Sequence, residues 1–189
     1  SGSSMNKLHY IPNCWHEQIA KLYDLELVTE NADIVILRDP FDRAVEEVMD
    51  FLDGGGDTRG KTFEELVFEN SNVYCKSLKI DRVHTDDLKE KNYKFVWFTS
   101  YAVWPRISGV LRPKEQVKNH KNFTLQTTAE QLSKYLGVES KPINVNQRFD
   151  TFELDTALRG DFQVSNTEDY SLLRKLKTRA DTGDRYEVE

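Results

Sequence analysis

Residues 32–43 read Ala32-Asp33-Ile34-Val35-Ile36-Leu37-Arg38-Asp39-Pro40-Phe41-Asp42-Arg43. The β-branched centre of this run is too short for a helix and does not alternate, the pattern of a strand covered on both faces in a parallel sheet. Asp39-Pro40 breaks it. Beyond the proline, Phe41, Val45, Val48 (or Met49) and Leu52 recur at i, i+4, i+7 and i+11, and Gly54-Gly55-Gly56 stops the helix they predict. Upstream, Lys7-Leu8-His9-Tyr10-Ile11 is short and β-prone. Pro12-Asn13 closes it ahead of Trp15, Ile19, Leu22 and Tyr23 at helical spacing. Two strand–turn–helix units in succession argue for an α/β domain with a mostly parallel sheet flanked by helices, whose ligands sit at the carboxyl ends of the strands.

Further along, Thr62 with Glu65 makes a capping-box pattern before Phe63, Leu66 and Val67. Tyr93 to Phe98 reads as a strand and Phe123-Thr124-Leu125 as a shorter one. Thr128 is placed to cap a helix through Ala129, Leu132, Tyr135 and Leu136 that ends at Gly137. Asp169 to Leu176 predicts a last helix, and residues 177–189 a charged, fraying tail. Ser1-Gly2-Ser3-Ser4 reads as a cloning scar, which leaves residues 5–176 for one domain.

In 189 residues, 38% hydrophobic content supports a real core, while 31% charged residues imply a densely charged surface. A net charge of -6 repels phosphate backbones, so nucleic acid is not an expected partner. No apolar run is long enough for a membrane span and no secretory signal is visible, so the expected location is cytoplasmic, away from membranes. Cys14 and Cys75 are the only cysteines, with no CxxC spacing, and neither a disulfide scaffold nor a metal site is expected.

Two motifs carry chemistry. Gly55-Gly56-Asp57-Thr58-Arg59-Gly60-Lys61-Thr62 satisfies the phosphate-loop pattern G-x-x-x-x-G-K-T, and an NTPase or kinase reading follows if the loop leaves a strand. The residues before it, Glu46 to Leu52, read instead as an amphipathic helix, which makes the segment a glycine loop between helices. In the other, a strand delivers Arg38 at its carboxyl end and Arg43 follows on the first helical turn. An arginine there offers a planar fork to phosphate or carboxylate; alternatively both arginines pair with Asp39, Asp42 or Glu46 and hold the turn.

Arg38-Asp39-Pro40-Phe41-Asp42-Arg43 resembles the second nucleotide-binding element of the sulfotransferases that use 3′-phosphoadenosine 5′-phosphosulfate (PAPS), R-[DN]-P-[FY]-x-R. Ile11-Pro12-Asn13-Cys14 is similar to the start of that family's first loop, I-P-K-[CT]-G-G-T-S. Thr62 to Val67 resembles the helix start that follows the second element, Leu132 to Asn146 the late l-G and p-x-x-N stretch, and Asp169-Tyr170-Ser171-Leu172-Leu173 the closing D-y-x-l-l helix. The resemblance implies a sulfotransferase-like fold of the P-loop nucleotide-binding class and PAPS as cofactor. It implies Pro12, Asn13, Cys14 and Trp15 at the donor's 5′ side, and Arg38, Arg43 and the position of Glu46 at its 3′ side. The implied reaction moves a sulfuryl group to a hydroxyl on a small-molecule or carbohydrate acceptor.

Departures from the pattern fall on the chemistry. Asn13 stands where the first loop has lysine, Trp15-His16-Glu17 replace small and hydroxyl residues, and Glu46 replaces the serine eight positions after Arg38. A carboxylate beside a phosphate dianion is repulsive. Ala102 falls at the histidine of an H-x-x-P-Q segment if Ala102 to Arg106 matches it. Lys61, Arg106 or Arg112 can replace the missing lysine where the fold brings one back, and His16 is the best-placed base, with Glu17 and Glu46 as alternatives. Opposed to this is a catalytically inactive descendant that acts by binding a protein partner. Tyr93, Phe95, Trp97, Phe98, Tyr101 and Trp104 form an aromatic cluster read as core, or as the lining of an acceptor pocket.

Overall fold

The apolar run around Val35 forms β3, Ile34–Leu37, and all four of its residues are buried. In this computed structural model, which describes residues 6–12, 14–79, 93–98, 120–148 and 156–179, β3 lies inside a four-stranded sheet. Its companions are β1 (Lys7–His9), β2 (Glu26–Val28) and β4 (Lys94–Trp97), in the order β2-β1-β3-β4, and every pairing is parallel. A strand flanked on both edges and covered on both faces has no solvent side, so its residues are apolar without alternation. The expected α/β arrangement with a parallel sheet is thus present.

Local signals explain the helices around β3. The Asp39 carboxylate accepts the Phe41 amide at 2.9 Å and Pro40 occupies the first turn, which starts α2 (Pro40–Asp53); Gly54 caps its end. The Thr62 and Glu65 capping box forms and starts α3 (Phe63–Val67). α1 (His16–Tyr23) follows β1, and α4 (Val73–Leu78) precedes β4. Phe41, Val45 and Met49 of α2 pack with Phe63, Leu66 and Val67 of α3 in a small core of their own. The larger core surrounds the sheet and takes in Leu8, Ile36 and Trp97. Trp97 and Phe98 are buried there, as the core reading of the aromatic cluster expects, whereas Tyr101 and Trp104 lie outside the described residues.

Three expectations need correction. The helix after residue 125 is α5, Gln126–Leu136, and Thr128 lies inside it rather than at its cap. The fully buried Thr128 hydroxyl donates to the Trp97 carbonyl at 2.6 Å, and the Gln131 side-chain oxygen accepts the Trp97 amide at 2.8 Å. These side chains satisfy backbone groups of β4, which among the described residues pairs only with β3. Secondly, the short strand at 123–125 is β5 (His120–Thr124), paired antiparallel with β6 (Asn144–Arg148) in a separate ribbon. Asparagine-rich Asn144-Val145-Asn146 gave no strand signal. Thirdly, the last helix, α7 (Thr167–Arg179), runs into the stretch expected to fray, and α6 (Thr156–Ser165) before it was not foreseen. Among the described residues no helix is long and apolar enough to cross a membrane.

Asp169 shows what α7 does for the fold. Its buried carboxylate accepts the amides of Tyr74 at 3.0 Å and Cys75 at 2.9 Å, and so caps α4 across a distance of more than ninety residues in sequence. Asp169→Ala is expected to lower unfolding stability by about 1–2 kcal/mol, the usual cost of a lost N-cap. Urea denaturation checks this, and an unchanged midpoint would remove the capping role.

Candidate functional site

In the order β2-β1-β3-β4 the chain leaves β1 for one neighbour and β3 for the neighbour on the opposite side. Loops part at such a switch point and leave a crevice at the carboxyl ends of the strands. A cleft of about 370 Å³ is present there, lined by Tyr10, Ile11, Trp15, His16, Glu17 and Gln18 from the β1 side and by Glu46 and Asp50 from α2. Of the residues singled out in the sequence, Trp15, His16, Glu17 and Glu46 therefore line one cleft.

Trp15 enters α1 with φ 57° and ψ 27°, the left-handed region, which costs a bulky residue about 1–2 kcal/mol. It offers no side-chain cap, and its indole Nε1 is buried without a hydrogen-bond partner. His16 is 2% exposed with both ring nitrogens buried; the Tyr10 ring lies beside it, centroids 6.0 Å apart. Burial above all, then the neighbouring His9, pushes the His16 imidazolium down to a pKa of about 3, with the Ile11 carbonyl pulling weakly the other way. His16 is thus neutral at pH 7, and so low a pKa makes it a weak base for proton abstraction near neutrality.

The arginine at the carboxyl end of β3 is already paired. Arg38 is 4% exposed and its Nη1 donates to Glu46 Oε2, a buried ion pair. Its guanidinium lies 4.7 Å from the centroid of the Phe98 ring, and its amide donates to the Tyr74 hydroxyl at 2.8 Å. Burial works against the charge on Arg38, but Glu46 and then Asp42 more than offset it and hold its pKa above the ordinary arginine value. Arg43, also buried, pairs with Glu47 at 2.6 Å and lines a different cavity of about 210 Å³ between α2 and α3. Of the pairings considered from sequence, Arg38 with Glu46 forms; the partner of Arg43 is Glu47 instead.

No protein-family model matches this chain, and no curated protein or solved structure does.

The remaining candidates lie elsewhere. Cys14 is fully buried with its Sγ 3.4 Å from the Tyr74 hydroxyl, and burial, opposed by that contact and by Arg38, pushes its thiol pKa up. Such a thiol packs rather than reacts. Pro12 is half-buried in the turn, and Asn13, Ala102, Arg106 and Arg112 lie outside the described residues. Lys61 sits between α2 and α3, where it and Arg59 both reach Glu69, Lys61 at 2.9 Å. The glycine segment therefore leaves a helix, so the condition attached to the NTPase or kinase reading is not met.

Sequence reasoning missed the residues that hold the R-D-P-F-D-R turn. Arg159 of α6 forks onto Asp39 at 2.8 Å and Asp42 at 3.0 Å, with its guanidinium 4.7 Å from the Phe41 ring centroid. The Tyr170 hydroxyl of α7 donates to Asp39 at 2.7 Å. The D-y dipeptide at 169–170 was visible as part of the closing helix; that its two side chains reach α4 and the β3 turn was not.

Proposed function

We propose that this chain is a sulfotransferase-like α/β protein whose donor site is closed by its own Glu46, and that it acts by binding a protein partner at the switch-point cleft. The carrying observation is the buried Arg38–Glu46 pair. The arginine that the resemblance assigns to the 3′-phosphate is spent on a carboxylate, and separating two buried charges costs several kcal/mol. Glu17 and Asp50, which line the cleft from its two sides, repel a phosphosulfate further. His16 is too weak a base to deprotonate an acceptor hydroxyl.

A thermal-shift titration with 3′-phosphoadenosine 5′-phosphate, with ATP as control, tests this. Wild type is expected to show no shift at millimolar nucleotide. Glu46→Ser, which restores the family's residue and releases Arg38, is expected to gain a saturable shift, since a ligand at a hundredfold over its Kd stabilises by about 2.7 kcal/mol. A saturable, 3′-phosphate-specific shift in wild type would overturn the reading.

That outcome belongs to the second reading, PAPS-dependent transfer to a hydroxyl acceptor. One observation favours it: Trp15, at the position of the first glycine in I-P-K-[CT]-G-G-T-S, holds the left-handed backbone that glycine adopts freely. In that case Arg38→Ala abolishes nucleotide binding while the fold survives, and the charge on the transferring group falls to Lys61, drawn off Glu69, or to Arg106.

A further inference from the structure

Charge does not balance around the R-D-P-F-D-R turn. Among the described residues three carboxylates meet there, Asp39, Asp42 and Glu46, against two guanidiniums, Arg38 and Arg159. Arg43 stays out of the count, because it pairs with Glu47 and lines the cavity between α2 and α3. Glu46 takes up Arg38, so Asp39 and Asp42 share the one fork of Arg159. All three of these side chains are largely covered, with exposures of 9% for Asp39, 21% for Asp42 and 22% for Arg159. Two like charges held together away from water favour the uptake of one proton.

The two carboxylates differ in their partners, and that difference decides which one takes the proton. Asp39 accepts from the Phe41 amide at 2.9 Å, the Tyr170 hydroxyl at 2.7 Å and Arg159 at 2.8 Å. Each of these bonds favours its ionised form. The Asp42 side chain accepts from Arg159 alone among the described residues, at 3.0 Å. A neutral Asp42 keeps that bond, since the carbonyl oxygen of the acid still accepts from the guanidinium. Burial first, then Asp39, raises the Asp42 pKa to about 7, while Arg159 and Arg38 pull it down. Asp42 thus faces Asp39 and Arg38 from the end of β3, Arg159 from α6 and the Tyr170 hydroxyl from α7.

We propose that the turn between β3 and α2 is a proton-sensitive switch: the folded protein holds a proton on Asp42 in mild acid and releases it as pH rises through neutrality, leaving one surplus negative charge beside Arg38 and Arg159. The protonated turn is balanced, with Arg38 on Glu46 and Arg159 on Asp39. The ionised turn sets two carboxylates on Arg159, the side chain by which α6 grips the strand end. An unfolded aspartate titrates near 3.8, so between that value and about 7 the native state binds a proton that the unfolded chain does not. The resulting stabilisation is fully present below 3.8 and is gone above about 7.

The test is carbon-13 NMR of the aspartate carboxyl groups of the full chain between pH 5 and pH 9, in wild type, Asp42→Asn and Arg159→Gln. Expected in wild type is an Asp42 carboxyl with a midpoint near 7. That titration is absent from Asp42→Asn and moves up by roughly one unit in Arg159→Gln, the effect of removing a close opposite charge. The wild-type titration stands even if a variant fails to fold, because the Asp42 carboxyl is assigned by through-bond correlation to its own backbone. An Asp42 that stays ionised down to pH 5 overturns the proposal, as does a neutral midpoint that belongs to Asp39 instead or one that Arg159→Gln leaves in place. Thermal unfolding gives an independent reading: the Tm of wild type is expected to rise relative to that of Asp42→Asn as pH falls from 8 to 5, and a constant difference would overturn the switch.

Discussion

Arg38→Met is expected to cost the protein about 3–5 kcal/mol of unfolding stability, because it strands the Glu46 carboxylate in a buried site. The pair is nearly out of solvent, with Arg38 4% and Glu46 8% exposed, so water cannot take over the guanidinium's role. For a chain of this size that is a fall in Tm of roughly 10 °C. The double variant Arg38→Met with Glu46→Leu removes both charges. It is expected to lie near wild type or above it by up to about 4 kcal/mol, since apolar replacements of a buried ion pair avoid its desolvation. Urea unfolding of wild type, both single variants and the double variant gives the coupling energy directly. If Arg38→Met costs less than about 1 kcal/mol, Glu46 is finding solvent or another cation, and the pair does not close the cleft.

The same cycle bears on function. A residue kept for a ligand can be removed at little structural cost, whereas a residue kept to neutralise Glu46 cannot. The PAPS reading expects Arg38→Ala to leave the fold intact, and the closed-site reading expects the opposite. Glu46→Ser strands the Arg38 charge at a comparable cost in stability, so its nucleotide shift is read against its own ligand-free Tm; it remains the informative binding variant because it keeps the arginine, charged under any condition tested, and removes the carboxylate that occupies it.

What could be read from sequence was what is local. The strand at Ile34–Leu37 announces itself by an unbroken β-branched run, α2 by Asp39-Pro40 and its apolar repeat, and α3 by Thr62 and Glu65, each encoded within one turn or one strand. The site was half legible for the same reason: Trp15, His16 and Glu46 follow strands whose carboxyl ends must meet in a parallel sheet. The partners that decide what those residues do come from far along the chain. Arg159 reaches Asp39 and Asp42 from α6, Tyr170 reaches Asp39 from α7, and Asp169 caps α4; spacing rules do not extend over such separations. Thr128 was misplaced because a threonine before an apolar repeat reads as a cap, and only the buried carbonyl of Trp97 turns its hydroxyl to another use. Arg38 shows the limit most plainly. Sequence offered Glu46 both as its partner and as a repulsive neighbour of its ligand, and only the packed side chains choose between them.

His16 carries the second large effect, a loss of stability in mild acid. Its ordinary pKa of 6.5 falls to about 3 in the folded protein, chiefly through burial. Between those values the unfolded chain binds a proton that the native state does not, so stability falls as pH drops from 6.5 toward 3. The contribution is fully present above 6.5 and declines at roughly 1.4 kcal/mol per pH unit, which amounts to roughly 2 kcal/mol at pH 5. Buried carboxyls work in the opposite sense. Burial, then Asp39, raises the Asp42 pKa to about 7, and burial raises that of Asp169, so both favour the native state as pH falls. The quantity to measure is therefore a difference: urea unfolding of wild type and His16→Gln at pH 7.5 and pH 5, with the wild type expected to lose roughly 2 kcal/mol more than the variant, which has no imidazole to protonate there. Parallel losses would mean that His16 is solvated in the native state rather than buried. A steeper loss in wild type means that a neutral imidazole is held beside the cleft at working pH, a hydrogen-bonding group rather than a proton carrier, which suits recognition better than transfer.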